Sequence, residues 1–534
     1  MISLTPGQGQ WPPATTKHVV FIVRPSLANM DLVAGYVKQE EASGGSGVRT
    51  EYHIVFVPRK SLLCEKRLIQ KGVFGSLSCH SLPIYLFPLD TDLLSMEIPS
   101  SFRDMVDGDM TSLHYAATSL TRLQAVTGVI PRIYGKGSAA KQVFDLMNRM
   151  KRESCGRDPQ VRSQIDTLVL IDRSVDLISP LPTQLTYEGL LDEMIGIQCG
   201  SLTLDHPERK VITMTSQEEL YQELRGLNFS AVGPTLSQKA KKIKAMADEI
   251  RDESITVKKM KQFITSGNLS DIQKMKQPLE NHIGLTEIVK SKIDSEEFLT
   301  VLELEQRILT GGGEGGRYLD EIEDLVCSNS LPVTRIIRII CLQSVVCSGL
   351  KPRVFESYRR LLLESYGYDL LLSLDSLSQA GLFVANTANK RSNYSVLSKR
   401  LGIIVENVDE QDPHDIAYVH TVYGPLSVKL VQQLESPGWR NIRDILDMLP
   451  GHMFEDAQQV GGGGMFPAGK RNPRQKKVVM VFFVGGVTMA EIAALRFLSQ
   501  QDDSSVDYLV STTSIINGNK FIESLYTKLE APIF

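Results

Sequence analysis

From residue 18 to 90, short β-branched and aromatic runs alternate with amphipathic stretches: HVVFIV, a helical pattern at 26 to 37, HIVFVP, a second helical pattern at 61 to 71, then LPIYLFPLD. Strands that are apolar along their whole length fit burial on both faces, the way parallel sheets with crossover helices are built. The first region is therefore expected to be α/β. A second α/β set follows, with a helix near 112 to 127, IPRIYG, a helix from about 137 to 152 and the strand TLVLID at 167 to 172. The next clear strands, KVVMVFFVGG and VDYLVST, come only after residue 476. That C-terminal βαβ is too small to bury a core alone, so it is expected to complete the second set as part of a discontinuous domain.

Between these parts the apolar spacing changes to 3.6 residues, in SQEELYQELRGL, LSQKAKKIKAMADEIRDE, VKKMKQFI, PLENHIGLTEIVKSKI, TRIIRIICLQSVV and YRRLLLESYGYDLLLSL. GGGEGG at 311 to 316 and GGGG at 461 to 464 read as loops or linkers. The fold class expected is α/β with a large helical insert. A first domain covers residues 1–95, a discontinuous second domain 96–205 and 474–534, and a mainly helical third domain 206–473.

Composition narrows the function classes. With 42% apolar and 22% charged residues over 534 positions, the chain is globular and long enough for two to four domains. A net charge of −4 gives no general attraction to nucleic acid or anionic membrane. Seven cysteines, odd in number, scattered and without a CxxC pair, suggest reduced thiols in a cytosolic protein. The leader MISLTPGQGQWPPATT lacks the basic and apolar regions of a secretory signal. The longest apolar run, VVMVFFVGGV, is about half the ~20 residues a helix needs to span a bilayer. A soluble chain is expected, whose membrane contact comes through partners.

The candidate chemistry is sparse. Asp172 ends a predicted parallel strand, where open α/β sheets place ligand groups, and Asp176 stands nearby. The adjacent Arg173 would pair with a carboxylate and keep it ionised, and a Pro-containing turn follows, so a structural turn competes with catalysis. Gly135-Lys136-Gly137 lacks the first glycine of a phosphate-cradling GxxxxGK[ST] loop. Thr488 and Glu491 form a T-x-x-E capping box that explains the turn after FFVGG without a ligand. The nine histidines include no HExxH and no Cys/His set at metal spacing, and Cys341 and Cys347 read as core. No cofactor, metal or catalytic residue is expected. Residues 236 to 293 carry twelve Lys/Arg against seven Asp/Glu, which suits either a solvated face or docking of a partner helix.

LIDRSVDLISPLPTQLTYEGLLDEM resembles the most recognisable segment of the SM family, the Sec/Munc-type proteins that bind SNAREs and promote membrane fusion. FVPRKSLLCEKRL, GLLDEMIGIQ, CLQSVVCSGLK, SYGYDLLLSL and GGVTMAEIAALRFLSQ resemble the branch of that family that serves in the HOPS and CORVET tethers. The resemblance implies a three-domain arch without enzymatic activity, peripheral on early and late endosomes and lysosomes. The partners it implies are SNARE proteins, a class C vacuolar protein sorting scaffold subunit of the sixteen type, and other tether subunits. It places SNARE-facing helices at about 225–310, with Lys239, Lys242, Lys258 and Lys259 offering charge to acidic SNARE helices, and a scaffold-facing part at about 330–460. There Arg359, Tyr368 and Leu371 are expected at the contact, with Tyr368 the anchor against the alternative of a half-buried core tyrosine. Asp172, Arg173 and Asp176 become the structural turn of the second domain. Family members begin with a helix and a first strand ahead of the position of His18, so the first sheet is expected to expose an edge. A nucleotide-binding or hydrolytic α/β enzyme, and a passive tether scaffold that touches no SNARE, are the competing readings.

Overall fold

The computed structural model describes the chain apart from residues 1–15, 43–49, 154–162, 205–209, 252–267, 312–317, 329, 389–390, 436–437, 459–475, 503 and 528–534. It divides into two compact units, Met1–Phe87 and Pro88–Phe534.

In the first unit, strands β1 (His18–Val23), β2 (Glu51–Phe56) and β3 (Leu77–Ser81) form a parallel sheet in the order β1-β2-β3. Helices Leu27–Ala42 and Leu62–Gln70 make the crossovers. Two right-handed crossovers that advance in the same direction put both helices on one side of the sheet. That side is the core, where Phe21, Tyr52, Ile54 and Phe56 meet Met30, Val37, Cys64 and Leu68. Among the described residues the other side carries no helix, and Val20 is 55% and Ile22 64% exposed there. The expectation of strands buried on both faces therefore fails for β1, because its helices share a face.

The strands of the second unit are β4 (Phe87–Asp90), β5 (Leu93–Ser95), β6 (Arg132–Lys136), β7 (Thr167–Asp172), β8 (Ile197–Gln198), β9 (Ser201–Leu204), β10 (Lys210–Thr213), β11 (Met453–Ala457), β12 (Lys477–Val484), β13 (Val487–Thr488), β14 (Val506–Thr512) and β15 (Ile515–Ile516). Seven of them form one sheet in the order β11-β6-β7-β12-β14-β5-β4. Only one end of LPIYLFPLD is a strand, and it lies in this sheet; β5 also lies here because Leu93–Ser95 pairs with Val510–Thr512. β12 fits between β7 and β14, parallel to both, with Val481 beside Val169 and Val510. Helices flank this sheet, and from Leu168 to Asp172 and Val479 to Val484 every residue is buried.

The segment between β10 and β11 is helical. Helices Phe229–Arg251 and Asn268–Ile293 pack against each other, and each contains one proline, Pro234 or Pro278. Helices Glu296–Gly311, Leu319–Ser328, Val333–Val346, Pro352–Tyr366 and Leu370–Gln379 follow. VKKMKQFI and the GGGG run lie outside the described residues.

Candidate functional site

Asp172 ends β7 fully buried, but no ligand is needed to explain it. Its Oδ2 accepts a hydrogen bond from the Ala139 amide at 2.8 Å, and its Oδ1 accepts one from Ser174 N–H at 2.9 Å. Ala139 opens helix Ser138–Glu153, so the carboxylate occupies the helix N-terminus where a phosphate would otherwise bind. Gly137 has φ +108°, and a Cβ there would overlap Asp172. Lys136 is also buried and turns away from any phosphate position, donating to the carbonyls of Leu449 at 3.0 Å and Gly451 at 2.6 Å. Burial pushes the Asp172 carboxyl above its ordinary value and the Lys136 ammonium below its own.

Arg173 does not pair with its neighbour. Its guanidinium forms a two-pronged bridge to Glu491, at 2.8 and 3.0 Å, and its Nε donates to the Asp176 carbonyl at 2.9 Å. The carboxylate partners of Arg173 are Asp176, three residues on at 3.3 Å, and Glu491 in the C-terminal segment, while Asp172 takes its hydrogen bonds from backbone amides. Asp176 in turn accepts from Ser179 N–H at 3.0 Å and Ser427 N–H at 2.8 Å. Glu491 completes the capping box, accepting from Thr488 N–H at 2.9 Å while Thr488 Oγ1 accepts from Glu491 N–H at 3.2 Å. Burial alone would raise the Glu491 carboxyl; the Arg173 charge outweighs this and holds it below the ordinary range. This triangle ties the turn after β7, the helix Leu426–Glu435 and the helix Met489–Gln500 together.

Two further arginine clusters do the same work. Arg335 and Arg338, on helix Val333–Val346, both bind Glu193 Oε1, Arg335 at 2.8 Å. Glu305 accepts from Thr183 N–H at 2.8 Å, and the Thr183 carbonyl contacts His420 Nδ1 at 2.8 Å. Arg496 grips Asp92 at 2.8 and 2.9 Å and Glu188 at 2.9 Å.

The exposed candidates lie elsewhere. Lys239 is engaged by Glu223 at 2.6 Å, Lys242 is solvent-exposed, and Lys258 and Lys259 lie outside the described residues. The base of this helix pair is fixed by His282, buried on helix Asn268–Ile293, which contacts Tyr187 Oη at 2.8 Å and Glu218 Oε1 at 2.6 Å. Further along, helix Pro352–Tyr366 buries Val354, Tyr358 and Leu362 and leaves Arg359 outside. Gly367, at φ +95°, turns the chain so that Tyr368 is 75% exposed, next to exposed Leu371 and Leu372. Tyr368 is thus no core tyrosine. Apolar groups gathered around an exposed aromatic are the kind of surface that partners cover.

A model of the Sec1 family matches residues 6–524. The chain belongs to the Sec1 family. Vacuolar protein sorting-associated protein 33A of Rattus norvegicus is 43% identical over 97% of this chain and 88% of its own length. The protein of the same name from Drosophila melanogaster is 36% identical over 96% of this chain and 88% of its own. Among solved structures, the SM protein Vps45 in complex with the Qa SNARE Tlg2 has a TM-score of 0.61 at 16% identity, covering 94% of this chain and 85% of that one. The Unc18–syntaxin 1 complex from Monosiga brevicollis has a TM-score of 0.60 at 14% identity, covering 97% and 89%. At these identities the two structures show the Sec1-family fold alone, the α/β class with a helical insert that the sequence pattern implied. No helix among the described residues is long and apolar enough to cross a membrane.

Within this Sec1-family fold, sequence reasoning found the turn at Asp172 and the capping box at Thr488, but missed that Glu491 is also the partner of Arg173. It also passed over Arg335, Arg338 and Arg496. The available signal was a pair of arginines three apart in TRIIRIICLQSVV and a lone arginine in EIAALRFL, each within an otherwise apolar helix.

Proposed function

We propose that this Sec1-family chain is a non-enzymatic SNARE-binding subunit of HOPS- and CORVET-type tethers, promoting SNARE assembly and fusion in endosome-to-lysosome and autophagosome-to-lysosome traffic. The observation that carries the reading is identity to vacuolar protein sorting-associated protein 33A running through 97% of the chain, helical segment included. Two named relatives of its fold were solved with a SNARE or syntaxin bound. The helix pair 229–293 supplies the SNARE-facing surface, with Lys242 and, beyond the described residues, Lys258 and Lys259 as complementary charge. Lys239 contributes less, since Glu223 already neutralises it. Arg359, Tyr368 and Leu371 form the contact with a class C scaffold subunit of the sixteen type, which holds the protein on early and late endosomes and lysosomes.

Tyr368→Asp tests the scaffold contact. Binding of the scaffold subunit is expected to be lost while the melting temperature and the affinity for a SNARE bundle stay unchanged; loss of stability together with binding would assign Tyr368 to the fold. Reversing all four lysines to Glu should slow SNARE association and flatten its salt dependence. Unchanged rates and salt slopes would make them a solvated face. Nucleotide titration by calorimetry addresses the enzymatic alternative. No heat is expected, because the protein's own Asp172 fills the helix N-terminus.

A further inference from the structure

We propose that the bare face of the three-stranded sheet in the first unit is a binding site for a divalent transition-metal ion of the zinc class, held by His18, Glu51 and His53. Strand register brings the three ligands together. His18 on β1 is the direct partner of Glu51 on β2, and His53 follows Glu51 by two residues on the same strand, so the three side chains rise from the same face. His18 Nδ1 lies 3.4 Å from Glu51 Oε2, and the His18 and His53 rings are 5.7 Å apart. One ligand atom from each of the three falls within 4.8 Å of the other two. A tetrahedral zinc ion, with bonds of about 2.0–2.2 Å, separates its ligand atoms by roughly 3.3 Å, so side-chain rotation alone closes the site.

The donor set determines the class of ion. Two imidazoles and one carboxylate suit zinc, nickel or copper, and three protein ligands leave a position open to water or a fourth group. Calcium and magnesium prefer all-oxygen shells and are not served here. A fourth group stands nearby: His80, on β3 at the register position of Val55, has its ring 5.9 Å from that of His53. The histidines therefore form a row across all three strands. The row lies on the face that neither helix covers, beside exposed Val20 and Ile22, so the ion reaches it directly from solvent. Bound there, the ion clips edge strand β1 to β2 through side chains, in addition to their backbone ladder.

The test uses the full chain without an affinity tag. Titration with zinc sulfate by calorimetry should give a saturable one-to-one isotherm. It should weaken at least about tenfold in His18→Asn, Glu51→Gln and His53→Asn, and less in His80→Asn, as expected for three primary ligands and one accessory. His114→Asn, on helix Thr111–Thr127 in the other unit, should leave it unchanged. Cobalt(II) substitution should give visible d–d bands without a thiolate charge-transfer band, which separates this site from the free cysteines. Because the ligands project from the bare face, the metal-free variants should melt with the wild type. If one of them does not, the change of hydrogen exchange in β1 on adding zinc to the wild type replaces it: β1 amides should become protected. The proposal is overturned by a wild type that takes up no stoichiometric zinc, by a thiolate signature, by β1 exchange that zinc leaves unchanged, or by isotherms indifferent to His18 and His53.

Discussion

The three-stranded parallel sheet and the seven-stranded sheet, parallel from β6 to β5 with β11 antiparallel at one edge, put charge in opposite places. In the seven-stranded sheet both faces are covered, and polar groups at the strand ends are buried and paired: Asp172 with backbone amides, and Arg173 with Glu491. In the three-stranded sheet one face is covered, and the imidazole and carboxylate groups of the strands, His18, Glu51, His53 and His80, stand on the other. The lesson is that a parallel βα unit alone does not decide burial. Both helices of the first unit cross on one side, so its strands alternate like those of an antiparallel sheet. Helices on both sides of the second sheet enclose its central strands β7 and β12, and any charge caught inside needs a partner from elsewhere in the chain.

The sharpest way to break this contrast is Glu491→Ala. It leaves Arg173 buried without its main partner and removes the helix cap in one step. Stranding a buried charge costs about 3–5 kcal/mol, with a cap worth ~1 kcal/mol more. Urea denaturation should show this loss, and Arg173→Met in the same chain should restore part of it. An Ala variant within 1 kcal/mol of wild type would mean the pair carries no weight. Adjacent positions of β1 give a comparison inside a single strand. Phe21→Ala on the covered face should cost about 3–5 kcal/mol, whereas Ile22→Ala on the bare face should cost about 1 kcal/mol or less. Equal losses would show that something covers Ile22. Gly137→Ala forces a β-carbon onto Asp172 at a left-handed backbone position, and a loss of about 1–3 kcal/mol is expected from the unfavourable φ.

Acid provides a gentler probe. Burial lowers the pKa of His420, and the paired arginines outweigh burial to hold Glu193 and Glu491 low. A group whose folded pKa is depressed stabilises above its unfolded pKa and loses that contribution as pH falls through the folded value. Stability should therefore begin to decline below the ordinary histidine value of 6.5 and decline further below the ordinary glutamate value of 4.5. Asp172, raised by burial, works in the other direction and offsets a part. Denaturation midpoints measured between about pH 7 and pH 4 would show the slope, and a flat profile would contradict the buried-charge account.

Local chemistry was legible in the sequence wherever a motif closes on itself. The Thr488–Glu491 box and the helices at 112–127 and 137–152 needed only neighbouring residues to define them. The side of a sheet on which a crossover lands is not local, so HVVFIV gave no sign that Val20 and Ile22 would be bare. Glu491 looked complete as a cap because a second bond, to a residue far upstream, leaves no trace in spacing. Tyr368 stood out through Gly367, since a backbone turn there removes an aromatic from its helix face; its partner is a matter for the binding measurement.

Arg173 and Glu491 are 318 residues apart. At synthesis rates of ~5–20 residues per second, the guanidinium waits roughly 16 to 64 s for its partner to leave the ribosome. During that interval β7 also lacks β12, which takes its second edge. A nascent chain in this condition has Asp176 but not Glu491 as an acidic partner of Arg173, and carries an open, apolar strand edge, a template for pairing with another chain. The order of synthesis therefore sets a period of vulnerability that the finished fold no longer shows. A premature stop between residues 458 and 477 would make that period permanent, leaving a chain with most of its helices and no β12 to close its central sheet.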